Sequence, residues 1–84
     1  MRLDEQARAV QTRDDLVAFL AALRSDLVSN RAAWTNSDLT TFLDAMSAWT
    51  EDMDGFYANN GEDLGSLPPW RVLADILMAA RVYE

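Results

Sequence analysis

Apolar residues recur along this chain at helical spacing and nowhere alternate as a strand would require. Between Arg13 and Val28, residues Leu16, Phe19, Leu20, Leu23 and Leu27 fall within an arc of about 100° when each residue is turned ~100° from the last. Asp14, Ala18, Ala22, Ser25 and Asp26 lie opposite. Thr12 just before this run, with Asp14 and Asp15 in the first turn, reads as an N-cap followed by acids that the helix dipole favours. The spacing therefore predicts a helix over 13–28.

A second helix is expected over about 36–54, with Leu39, Phe42, Leu43, Met46, Trp49 and Met53 on one face and Thr40, Asp44, Ser47 and Glu51 on its back. Thr35 as its cap would let Trp34 staple onto Leu39. Gly55 and Asn59-Asn60-Gly61 read as punctuation and 58–68 as a loop. Pro68-Pro69 opens a third helix over 69–83, with Pro69 at the first helical position, where a missing N–H costs nothing. Leu73, Ile76, Leu77, Ala80 and Tyr83 form its main face, and Val72, Met78, Ala79 and Val82 make it apolar nearly all round, so it belongs between the other two. Residues 1–11, with Leu3, Ala7 and Val10 in phase, are too short for an independent helix and are expected as a partly docked arm. The fold expected is all-α, one small three-helix domain over 1–84 with a short N-terminal arm, its core centred on Leu23, Phe42, Met46, Trp49, Leu73, Ile76 and Leu77.

Composition changes this picture mainly by exclusion. The 84 residues include no histidine, cysteine or lysine. No imidazole base, thiolate nucleophile, Schiff base or tetrahedral zinc site can be assembled from them. Ser and Thr lack an activating base, and no glycine-rich loop follows a strand. The sequence is thus expected to be neither an enzyme nor a cofactor protein. No apolar run approaches a membrane span, and the charged start Met1-Arg2-Leu3-Asp4-Glu5 is unlike a signal peptide, which sets the expectation of a cytoplasmic protein.

The charge is unevenly placed. Residues 1–31 hold five arginines and five acids, and 71–84 hold two of each. Between Arg31 and Arg71 there is no basic residue, while Asp38, Asp44, Glu51, Asp52, Asp54, Glu62 and Asp63 supply the whole net charge of −7. A one-sign segment of this kind repels itself and invites a cationic partner. It also disfavours direct nucleic-acid binding, which runs on Lys and Arg. A solvated face that only keeps the chain soluble is the plain alternative. A calcium loop at Glu51-Asp52-Met53-Asp54-Gly55 fails on spacing, because Gly61 falls where the bidentate Glu is required.

Two sets of contact residues follow. Asp44, Glu51, Asp52, Asp54, Glu62 and Asp63 are candidates for meeting a basic protein, as an immunity protein or a nucleic-acid mimic would. Trp70, Met78 and Val82 are candidates for self-association through the third helix, which leaves a homodimer open. Arg71 and Asp75, at i and i+4 on that helix, read equally as a surface pair under the arm or as the rim of a contact seam.

The pattern Trp34-x-Asn36-x-x-Leu39-x-x-Phe42-Leu43, then Trp49, Glu51-Asp52-Met53-Asp54-Gly55-Phe56-Tyr57-x-Asn59, and Pro69-Trp70-Arg71-x-x-Ala74-Asp75-Ile76-Leu77-x-Ala79-Ala80-x-Val82-Tyr83-Glu84 resembles a family of short bacterial proteins catalogued as a domain of unknown function, over roughly residues 12–84. That resemblance implies a compact bacterial cytoplasmic domain and brings no activity, cofactor or catalytic residue with it.

Overall fold

The computed structural model describes residues 2–84, and its regular structure is all helical, with no strand among them. Four α-helices follow in order: α1 (Leu3–Arg8), α2 (Arg13–Ser29), α3 (Leu39–Asn59) and α4 (Pro69–Ala80), with 3-10 turns at Arg31–Ala33 and Leu64–Ser66. Met1, the first residue of the expected arm, lies outside the described residues.

Each long helix has a legible start. Thr12 caps α2 in a reciprocal box, its hydroxyl accepting from the Asp15 N–H while the Asp15 carboxylate accepts from the Thr12 N–H. Asp38, rather than the expected Thr35, caps α3 by accepting from the Thr41 N–H, and that bond draws its pKa below the ordinary carboxylate value. Helix α3 therefore begins at Leu39, and Trp34 stacks on Phe42 with ring centroids 5.8 Å apart instead of stapling onto Leu39. Pro69 takes the first position of α4 as expected.

The C-terminal ends of α3 and α4 also depart from the sequence reading. Helix α3 runs through Gly55 to Asn59 and stops in a Schellman motif: Glu62 N–H bonds Tyr57 O at 2.9 Å, Gly61 N–H bonds Ala58 O at 3.2 Å, and Gly61 takes the left-handed φ of +69° that the motif needs. Helix α4 ends at Ala80, three residues before the expected limit, in a turn over Arg81 and Val82.

Helix α4 is the centre of the molecule. Helices α1, α2 and α3 all pack on it, α1 also touches α2, and α3 leans on α4 far more than on any other helix. The arm is thus a docked helix, because Ala7 and Val10, each 1% exposed, are part of the core. That core is built from Ala7, Val10, Leu16, Phe19, Leu23, Trp34 and Ala74, with Leu3, Leu27, Phe42, Leu77 and Met78 packed around it. Trp49 and Tyr57 are buried further along α3 and meet edge-on at 6.1 Å. Leu23 and Trp49 lie where the arcs place them, whereas Leu73, expected in the core, is 37% exposed. The reason is rotation: α3 turns the small Ala45 toward the interior and α4 turns Ala74 and Ala80, which lets backbones approach and swings Leu39, Leu43 and Leu73 outward.

Candidate functional site

Two clusters hold the ends of α4, and the candidate contact residues are arranged around them. At its N-terminal half, α4 meets the end of α3. Tyr57, fixed in the last turn of α3, donates its phenol hydrogen to Asp75 Oδ2 at 2.7 Å. Arg71 in the first turn of α4 reaches Glu62 at 2.8 Å through Nη2, while its Nε lies 3.5 Å from Asp75 Oδ2 without a hydrogen bond. Asp75 is buried, so desolvation raises its pKa against the opposing pull of the Tyr57 phenol and the Arg71 guanidinium. Burial and the bond to Asp75 likewise hold the Tyr57 phenol far above its ordinary range.

The Arg71–Asp75 pair is therefore largely covered from solvent. It is the middle of a Glu62–Arg71–Asp75–Tyr57 chain that ties the turn after α3, α3 and α4 together. Spacing alone flags only the i, i+4 step; Tyr57 lies 18 residues from Asp75 and no periodicity connects them. A cavity of about 500 Å³ beside the cluster is lined by Arg8, Phe56, Asn60, Glu62, Arg71 and Asp75.

At its other end, α4 is clamped by the turn between α2 and α3. Asn36 donates its side-chain amide to Ala80 O at 2.9 Å and Tyr83 O at 2.8 Å, and its backbone N–H to Arg81 O at 2.9 Å. These bonds satisfy carbonyls that a helix end leaves without partners. The Trp34 indole donates to Asp26 Oδ2 at 2.8 Å, Arg81 Nη1 approaches the same oxygen at 3.4 Å, and the Arg81 guanidinium lies 5.8 Å from the centre of the Trp34 ring. Sequence reasoning missed this clamp, and its one sequence-level signal is the polar Asn36 close behind a Trp in a turn.

The six candidate acids do not form one patch. Asp44, Glu51 and Asp54 are exposed on the outer side of α3 and make no ion pair or side-chain hydrogen bond among the described residues. Glu62 is spent on Arg71. Asp63 caps the second 3-10 turn, accepting from Gly65 N–H and Ser66 Oγ. Asp52 accepts from the Tyr83 phenol, a bond that raises the tyrosine's pKa. Among the described residues no three carboxylates converge on a metal-sized site.

The third-helix candidates are also dispersed. Trp70 is 39% exposed in the first turn of α4, Val82 is 46% exposed beyond its end, and Met78 is half-buried against the core. Apolar exposure is concentrated elsewhere. Because α2 and α3 rest on α4 rather than on each other, a groove of about 310 Å³ opens between them, walled by Leu20, Leu23, Leu27, Trp34, Leu39 and Phe42. Leu39 on its lip is 71% exposed and Leu20 42%.

Residues 12–84 match the model of a family of unknown function, DUF7660, and the chain belongs to that family. No curated protein and no solved structure matches it. The matched segment contains α2 to α4 with both clusters and leaves α1 outside. Among the described residues no helix is long and apolar enough to cross a membrane.

Proposed function

We propose that this chain is a non-enzymatic protein-binding module that meets a basic partner through the outer side of α3. One observation carries the reading: Asp44, Glu51 and Asp54 stand exposed without a cation, while the arginines of the C-terminal third are turned inward, Arg71 to Glu62 and Asp75 and Arg81 to Asp26. The fold thus spends its nearby positive charge on its own ends and leaves this helix face uncompensated. Such a face steers a cationic protein surface toward it and fixes its orientation. It suits the antagonist of a basic protein, whether an immunity protein or a mimic of nucleic acid.

The experiment is a location-specific neutralisation, with an oligo-arginine peptide as probe. Asp44→Asn, Glu51→Gln and Asp54→Asn together should weaken the peptide's binding and flatten its salt dependence, with helicity unchanged. Neutralising three acids elsewhere, Asp4→Asn, Glu5→Gln and Asp14→Asn, should do much less. Equal losses from the two triple variants would reduce the α3 face to a share of the net charge and overturn the proposal.

A further inference from the structure

Five exposed large apolar side chains, Val17 at 60%, Leu20 at 42%, Val28 at 71%, Leu39 at 71% and Leu43 at 52%, belong to α2 and the first half of α3. Leu20 and Leu39 line the groove between these helices, and the other three continue their rows outward at helical spacing. Contiguous apolar exposure of this kind marks a contact surface. The two rows match each other. On α2, Arg13, Val17, Leu20, Arg24 and Val28 follow at i, i+4, i+7, i+11 and i+15; on α3, Leu39, Leu43, Met46, Thr50 and Asp54 follow at the same intervals. Each row is therefore about 22 Å long.

Their ends are complementary in the reverse sense. The α2 row begins with a cation and ends in Val28, and the α3 row begins with Leu39 and ends in an anion. Laid antiparallel, Arg13 meets Asp54, Leu20 meets Met46 and Val28 meets Leu39, while the aliphatic stem of Arg24 covers Leu43. Within one chain α2 and α3 already run in opposite senses. Asp26 near the end of α2 pairs with Arg81 just past the end of α4, whereas α3 starts beside that end and finishes with Tyr57 at the Asp75 turn. A two-fold axis along the helices then brings α2 of each copy over α3 of the other, in the antiparallel sense, at both sites at once.

We propose that two copies of this chain associate through the α2–α3 face, α2 of each lying antiparallel along α3 of the other. The occupant of the groove is a second copy because the charge order and the spacing of its own α2 fit the α3 row. Asp44 and Glu51 lie further round α3, outside the paired row, and stay free in the dimer; Asp54 is common to both surfaces, and the Leu39 and Leu43 changes leave it untouched, so they test the pairing apart from the function proposed above.

Sedimentation equilibrium on the full chain tests this directly. The wild type should sediment at twice its 9.4 kDa, and Leu39→Glu with Leu43→Glu should return it to the monomer mass. Both positions are exposed and the first is the opening residue of α3, where an acid suits the dipole, so helicity should persist. Arg13→Glu or Asp54→Arg alone should weaken the dimer, and the two together should restore it. An independent readout uses the absence of cysteine: a Val17→Cys chain mixed with a Thr50→Cys chain should form an inter-chain disulfide. A wild type that stays at 9.4 kDa at every concentration overturns the proposal. So does a dimer that survives the Leu39 and Leu43 changes but is split by Trp70→Glu with Val82→Glu, and failure of the charge swap or of the disulfide overturns the antiparallel register.

Discussion

The phenol of Tyr57 and the carboxylate of Asp75 meet at 2.7 Å in the interior, joining the last turns of α3 to the middle of α4. A buried carboxylate is costly unless it is hydrogen-bonded and paired, and here the phenol donates to Oδ2 while the Arg71 guanidinium lies 3.5 Å from the same oxygen. Tyr57→Phe keeps the ring and its packing but removes the donor. It should cost about 1–3 kcal/mol of unfolding free energy, the desolvation penalty of a buried group left short of a partner. Adding Asp75→Asn should recover part of that loss, since the charge that needed the donor is gone. Urea midpoints for the two single variants and the double complete the cycle.

The same carboxylate gives a pH dependence of definite sign. Burial raises the pKa of Asp75 in the folded state above its unfolded value, so the folded chain binds this proton more tightly. Its contribution to stability is fully present below the unfolded pKa and is lost as pH rises through the folded one. Asp75→Asn mimics the neutral form at all pH. The melting temperature of the wild type relative to Asp75→Asn should therefore rise on acidification from neutral pH, and a fall would show that the ion pair with Arg71 dominates instead.

Asn36 supplies two amide hydrogens to carbonyls at the end of α4. Asn36→Ala should destabilise the fold by about 1–3 kcal/mol, and Asn36→Asp by more, because a carboxylate facing the Ala80 and Tyr83 oxygens can donate nothing. Chemical denaturation ranks the three proteins, and an Asp variant more stable than the Ala variant would contradict the geometry.

Two glycines should respond in opposite directions to alanine. A Cβ at Gly55, inside α3, meets no atom within 4 Å, so Gly55→Ala should stabilise by roughly 0.5–1 kcal/mol. Gly61 has equal space but sits at φ +69°, so Gly61→Ala should destabilise, by about 1 kcal/mol, through backbone strain alone. Thermal melts of the pair separate conformational from steric effects.

How much of this was legible in the sequence follows from what each feature depends on. Thr12 with Asp15, and Pro69, are local chemistry, and they mark the starts of α2 and α4. Helix α1 was not legible as a helix because six residues are held by Ala7 and Val10 docking into the core, which no local window contains. Gly55 looked like a stop because its propensity cost of about 1 kcal/mol is visible, whereas the packing of Trp49, Phe56 and Tyr57 that outweighs it is not. The apolar arcs named the helices but misjudged their rotation, since arcs weight large side chains while Ala45, Ala74 and Ala80 decide which sides approach. At the candidate site the sequence showed where charge is concentrated. It did not show that Glu62, Asp63 and Asp52 are already engaged, because their partners are set by the fold or by the local turn.

The central place of α4 also governs how this segment matures during synthesis. Its three neighbouring helices emerge from the ribosome before it, yet each finds its main docking surface on it, and the Asn36 clamp closes only on Ala80, Arg81 and Tyr83. A nascent chain cut short before those residues holds amphipathic pieces with no surface to settle on, exposed to chaperones and proteases. Acquisition of structure by this segment thus waits on synthesis of residues 69–83, and a product terminated before them is left for degradation rather than persisting as a partial module.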